Sequence, residues 1–222
     1  MVESISKVVQ DLIDEDLSLQ YALERGYGNY SAIARMLKPR VEDILKRKVK
    51  LESIITSVKR ARVSYRLPQR GEIAEVIANS VINLRTDVAK ISVEKTRETL
   101  KTIRRTLTNF PPEEFLQILE GMDTITIVFD QKLFEKIRSV LPEKNILEEK
   151  KDLAAIIIKS PKKIINTPGC IASFYNAISR RHINIEETMS CSTETIIVLC
   201  MEDVGKAFTT ITNLVTEARK LT

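Results

Sequence analysis

Residues 166–208, NTPGCIASFYNAISRRHINIEETMSCSTETIIVLCMEDVGKAF, set the fold class of this chain. The stretch opens on Thr167-Pro168-Gly169, with Thr167 at an N-cap position, Pro168 at the first helical position and Gly169 free to turn, so a helix is predicted over 168–181. Ile171, Phe174, Tyr175 and Ile178 fall on one face of it. INIEETMS (183–190) and TETIIVLC (193–200) alternate as two strands joined by a short hairpin. Asp203–Arg219 is again helical, with Val204, Ala207, Phe208, Ile211, Leu214 and Val215 on one side.

Upstream, DLAAIIIKS (152–160) is a strand, and the preceding stretch repeats the cycle. TDVAKISVEK (86–95) reads as a strand, TRETLKTIRRTL (96–107) as a helix, EEFLQILEG and DTITIVFD as strands, QKLFEKIRSVLP as a helix and NILEEKK (145–151) as a last strand. Two successive βαββαβ units predict an α+β fold, an antiparallel ferredoxin-like sheet with its helices on one side. The second unit has no last strand before Thr222. Ser80–Leu84, SVINL, is β-prone and otherwise unassigned, and is expected to fill the vacant edge, unless a partner chain does so.

With 222 residues, 43% hydrophobic and 29% charged, the chain is long enough for two or three small domains. The divisions read from the sequence are a helical domain at 1–70, a linker or strand at 71–85, and the two units at 86–150 and 151–222. No apolar run is long enough to span a bilayer and MVESISKVVQ has no apolar signal core, so a cytoplasmic location is expected. One histidine, six glycines and three cysteines leave little material for histidine acid–base sites, metal clusters or phosphate loops. Neither a catalytic residue nor a metal or other cofactor is expected, and Cys170, Cys191 and Cys200 are read as free thiols. His182 reads as a surface or turn residue.

Charge is unevenly placed. Residues 1–33 hold two Lys/Arg against six Asp/Glu, residues 34–70 twelve against three, and residues 71–222 twenty-one of each. The net excess of +5 therefore belongs to the first 70 residues, which suggests a basic module joined to a neutral one. That module reads as helices: one through Ile5, Val8, Val9, Leu12 and Ile13, one over 17–25 ending at Gly26, one capped by Asn29 or Ser31 and stopped by Pro39, one over 41–46, and one over 51–65. The last carries Leu51, Ile54, Ile55, Val58 and Tyr65 on one side and Ser53, Thr56, Ser57 and Arg60 on the other. Lys46, Arg47, Lys48, Lys50, Lys59 and Arg62 surround that second face. Short hydroxyls beside an arginine suit approach to base edges and the cations suit phosphates, as in the recognition helix of a helix-turn-helix module. A protein-docking helix or a solvated bundle face satisfies the same pattern, and a mutase-like active site lined by arginines is disfavoured because no acid or base is paired with them.

Two resemblances arise from these residues. NYSAIARML (29–37) is similar to the second helix of small archaeal winged-helix modules. Residues 124–219, above all the Pro-Gly loop, the INIE strand start, the Ser/Thr/Glu hairpin and the acidic start of the last helix, resemble the tandem ACT domains of aspartokinases. About two extra residues between Asn184 and Glu194 depart from that pattern. No kinase catalytic region fits before the repeats.

Free N–H groups at the start of the 168–181 helix would favour a carboxylate, with Asn166, Asn184 or Glu186 receiving an ammonium group, although a plain helix start explains the same residues. The resemblance implies amino-acid binding between paired domains, on Asn166, Thr167, Pro168, Gly169, Cys170 and Ile171 and on Asn184, Ile185, Glu186 and Ser190 or their neighbours across a pairing surface. The matching loop of the first unit, VEKTRETL, has no Pro-Gly and is expected to be structural. The expectation is a homo-oligomeric, non-catalytic amino-acid sensor whose basic head binds DNA; the alternative is a regulatory subunit of an amino-acid biosynthetic enzyme.

Overall fold

A computed structural model of the chain describes residues 4–64, 69–107, 111 and 114–222. It divides into two compact units, residues 1–68 and 69–222.

The first unit is made of α1 (Ile5–Asp14), α2 (Leu17–Arg25), α3 (Tyr30–Leu45) and α4 (Leu51–Ser64). Ser4, Asp16 and Asn29 cap the first three by accepting backbone N–H groups of the opening turns. Gly26, at φ 80°, ends α2. Pro39 does not stop the third helix. It sits inside a single 16-residue α3, so the separate helix expected over 41–46 is the end of α3. Leu37 and Val41, on either side of the proline, are both buried, and this packing holds the helix together across the hydrogen bond that proline cannot make. Val8, Val9, Leu12 and Ile13 of α1 meet Leu23, Ile33, Leu37, Ile54 and Val58 in one core. No strand occurs among the described residues of this unit, so the wing of a winged helix is not among them.

The second unit runs α5 (Gln69–Ala78), β1 (Val81–Glu94), α6 (Arg97–Leu107), β2 (Leu116–Glu120), β3 (Thr124–Asp130), α7 (Phe134–Val140), β4 (Ile146–Lys159), α8 (Cys170–Ser179), β5 (Glu187–Cys191), β6 (Glu194–Cys200) and α9 (Val204–Arg219). The stretch read as linker, 71–85, is thus helix α5 and the first residues of β1. The six strands form one antiparallel sheet in the order β2-β3-β1-β4-β6-β5.

The division expected between 150 and 151 falls inside β4, because two 14-residue strands are shared by both halves of the sheet. Val88–Glu94 pairs with β3, and the same stretch of β1 pairs with residues 146–153 of β4. Val81–Arg85 pairs with Ala155–Lys159, whose other side carries β6. The segment SVINL therefore takes the vacant fourth place of the second half. Each half has four strands in the order 4-1-3-2 of a ferredoxin-like unit.

The long strands bend where Asp87 and Asp152 adopt φ of 53° and 56°. The bend is large. Lys90 and Glu187 would stand roughly 20 Å apart on a flat sheet of this register, yet their charged groups are 3.5 Å apart. The two half-sheets accordingly fold face to face, with helices outside. Val88, Phe115 and Val128 of one half and Leu153, Ala155, Ile196 and Val198 of the other share the core between them. Outside it, Ala89, Ile91, Val93 and Phe129 pack under α6 and α7, and Ile156, Ile158, Ile197 and Leu199 pack under α8, α9 and α5. Arg85 joins the halves, placing two nitrogens 2.6 Å from the Asp130 carboxylate and its guanidinium 5.2 Å from the Phe115 ring centre.

Candidate functional site

After β4 the chain makes a 3-10 turn (Lys162–Asn166) and enters α8 through Gly169. The helix starts later than the sequence indicates. Thr167 is not its N-cap: its hydroxyl donates to the Lys163 carbonyl at 2.8 Å and the residue is buried. Pro168 precedes the cap rather than following it. The N-cap is Gly169 at φ 93°, which has no side chain to offer, so no side-chain acceptor caps α8. Asn166, Pro168 and Gly169 are exposed and Ile171 is half-buried. Cys170 is a core residue, 1% exposed, and burial pushes its thiol pKa up. One side of the loop is closed by Ile73 of α5, whose Cδ1 lies 3.1 Å from where a Cβ on Gly169 would stand.

The matching start of α6 is closed by its own side chains. The Thr96 N–H donates to the Thr99 hydroxyl at 2.8 Å, the Thr99 N–H to the Thr96 hydroxyl at 3.1 Å, and Thr99 is fully buried. Of the two equivalent helix starts, that of α6 has a side-chain cap on the Thr99 N–H, and that of α8 has no side-chain cap.

The remaining predicted ligand residues are divided. Ser190 is exposed on β5, the edge strand, and pairs with Thr195 near the hairpin, at the same end of the sheet as Gly169: the Ser160 N–H donates to the Thr193 carbonyl at 2.8 Å. Asn184, Ile185 and Glu186 follow the far end of α8, roughly 15 Å away along a ten-residue helix. Within one chain they do not meet Gly169. Glu186 is bound elsewhere, with its carboxylate 2.9 Å from Lys150, 3.7 Å from Lys90 and hydrogen-bonded by the Asn184 amide at 2.8 Å. Burial works to raise its pKa, but the hydrogen bonds from Lys150 and Asn184 and the charges of Lys150 and Lys90 hold it below the usual carboxylate value. Lys90 is only 4% exposed, and Glu148, Glu186 and Glu187 surround it. Burial would lower the pKa of its amine; the Glu148 hydrogen bond and the three carboxylate charges raise it instead.

Sequence reasoning passed over three of these groups. Lys90 carried a signal, since it interrupts the inward face of β1 formed by Val88 and Ser92. Ile73 gave none, because α5 has no clear apolar stripe. Thr195, 1% exposed with a hydroxyl that finds no hydrogen-bond partner, reads in the sequence as an ordinary strand residue.

In the first unit the predicted face of α4 is only partly open. Ser57 is buried and donates to the Ser53 carbonyl, and Thr56 donates to the Glu52 carbonyl, so both hydroxyls serve their own helix. Ser53, Thr56 and Arg60 line a groove against Ile5 and Ser6 of α1. Lys46 is paired with Asp43 at 2.8 Å and Lys48 with Glu42 at 3.3 Å. Arg47, Lys50, Lys59 and Arg60 are exposed and make no ion pair among the described residues. The side chain of Arg62, and Tyr65 entirely, lie outside the described residues.

No family model matches the chain, and no curated protein matches it. Solved structures do. The regulatory subunit of aspartate kinase from Thermus thermophilus, in a ligand-free form, aligns over 60% of this chain and 95% of its own, with 14% identity and a TM-score of 0.51. Over that share of the chain the fold is similar to that of aspartate kinase regulatory regions. Aspartate kinase from Synechocystis aligns over 63% of this chain at 17% identity and a TM-score of 0.52, and that from Clostridium acetobutylicum over 60% at 19% and 0.50. The chain spans about a quarter of the former enzyme and a third of the latter. Among the described residues, no group of His, Cys, Asp or Glu is arranged to hold a metal, and no helix is long and apolar enough to cross a membrane.

Proposed function

We propose that this chain is a non-catalytic regulator in which two ACT-type units, interlocked through β1 and β4, receive an amino acid at the start of α8. The observation that carries the reading is the difference between the two equivalent helix starts: α6 is capped by Thr96 and Thr99, whereas α8 begins on Gly169 with its N–H groups open to a carboxylate. Glu186 is engaged by Lys150, Lys90 and the Asn184 amide, which disfavours Asn184 and Glu186 as ligand groups within one chain. Groups for the ligand's ammonium then come from Asn166, from backbone carbonyls of 162–168, or from the Ser190 edge of a second copy. A thermal-shift screen of the twenty amino acids tests this, because a ligand of the native state raises the midpoint by mass action. No shift with any of them removes the sensor.

In the same reading, the basic helical unit is the output and binds DNA through phosphates. Arg47, Lys50, Lys59 and Arg60 are the available cations, and the internally bonded hydroxyls of Thr56 and Ser57 make base reading a minor part. Fluorescence anisotropy on random and candidate duplexes tests it. Four phosphate contacts give a log–log salt slope of roughly −3.6 for duplex DNA, and salt-independent or absent binding rejects it. The pairing of Lys46 with Asp43 and Lys48 with Glu42 favours a second reading, docking on a biosynthetic enzyme, which predicts recovery of such an enzyme in a pull-down with no retention of DNA.

A further inference from the structure

The start of α8 has a cover, and the cover belongs to the helix that leads in from the first unit. α5 is held unevenly along its length. Its last turn is anchored: Val76, Ile77 and Ala78 are buried in the core, the Ala78 carbonyl accepts from Arg219 Nε at 2.9 Å, and the following Ser80 shares a buried hydroxyl contact of 2.9 Å with Ser160. Its first part is not. Gly71 and Glu72 are exposed, Ile73 is only half-buried where it packs at the margin of the core and against Gly169, and Glu75 forms an ion pair of 2.7 Å with Lys163, both about half-exposed. An exposed pair of this kind holds a helix weakly.

Under this cover the protein leaves polar groups unsatisfied. Thr195 is two residues past the Thr193 carbonyl that bonds Ser160, so it sits at the end of the sheet where α8 begins. Alternation along β6 puts it on the same face as Ile197 and Leu199, which pack in one core with Cys170 and Phe174 of α8. Its hydroxyl has no partner, and such a group is costly to bury. An unpaired hydroxyl at this end of the sheet and a helix start without a side-chain cap, the latter against half-buried Ile73, describe a closed binding place better than a finished core.

We propose that α5 is the gate of this site: Ile73 is the wall against which a ligand at Gly169 must seat, and its displacement lifts the first half of α5. This rests on the amino-acid reading above and adds the residue that selects by size and the element that ligand entry displaces. Ligand and Ile73 compete for one place, so the closed form reduces apparent affinity by the fraction of time the gate is open.

The test uses the full-length chain, the twenty L-amino acids as probes, and two variants. Ile73→Ala removes the wall; Glu75→Gln removes the exposed latch and leaves the core untouched. Ile73→Ala is expected to bind the best amino acid about tenfold more tightly and Glu75→Gln about twofold, and ligand is expected to speed hydrogen exchange of α5 amides in the wild type. Amino acids that shift Ile73→Ala but not the wild type also support the gate. Equal affinity in all three proteins with unchanged α5 exchange overturns the gate and leaves the sensor standing. No amino acid shifting any of the three overturns both.

Discussion

Lys90 sits in the middle of the folded sheet with three carboxylates within 3.7 Å, and the two halves of the protein meet at its amine. Removing a partner from a buried charge network strands the others, at a cost of about 3 kcal/mol or more. Lys90→Ala is therefore expected to lower the urea midpoint sharply without changing the slope. The same network fixes the direction of the pH dependence. The Glu186 pKa is lowered in the folded state, so its contribution is complete above the unfolded value of 4.5 and is lost as pH falls through the lower folded one. The Lys90 pKa is raised, so its contribution is complete below 10.5 and is lost as pH rises through the higher folded value. The buried Cys170 thiol, also raised, begins to cost stability above its unfolded value of 9.0, so urea midpoints should be flat between 4.5 and 9.0 and decline outside both. Gly169 carries a different constraint. At φ 93°, an alanine incurs about 1–3 kcal/mol of backbone strain and also meets Ile73. Calorimetry should show Gly169→Ala destabilised, and adding Ile73→Ala should restore only the part due to the contact.

Elements were legible in the sequence to the extent that a single face determined them. The helices at 97–107, 134–140 and 204–219 and the strands at 124–130 and 194–200 stand near where their apolar periodicity places them. The placement of SVINL beside β4 followed from its β-branched residues and from a sheet that needed a fourth strand. What the sequence concealed depends on tertiary packing. Nothing local marks Asp87 and Asp152 as bends in continuous strands, so β4 read as two strands with a boundary between them. Pro39 carried a stop signal that the buried Leu37 and Val41 overrode. At the candidate site, Thr-Pro-Gly announced a helix start correctly but gave the wrong cap, because Thr167 turns back to Lys163. The α6 cap makes its own prediction. Thr99→Ala removes the acceptor of the Thr96 N–H and a hydroxyl bonded to the Glu94 carbonyl, and should cost about 1–2 kcal/mol in chemical denaturation.

At the level of the molecule, residues 1–68 and 69–222 each enclose their own hydrophobic cluster. The fragment 69–222 is expected to fold alone and to unfold cooperatively. A fragment beginning at residue 86, where the sequence places the first repeat, is expected to fail. It lacks the Val81–Arg85 pairing with β4, the Arg85 clasp on Asp130, and the buried Val76 and Ile77. Circular dichroism and urea titration of the two fragments check this directly. The place where α9 finishes gives these shared strands one more meaning. Arg219 touches Ala78, just before β1 begins, so the second half-sheet takes its closing strand from the stretch that also opens the first. The repeats therefore form a ring rather than a row. A circularly permuted 79–222 that joins Thr222 to Asn79 and opens instead at the Gly121–Asp123 turn would keep every strand neighbour it has now, whereas no cut between the repeats could yield two independent proteins.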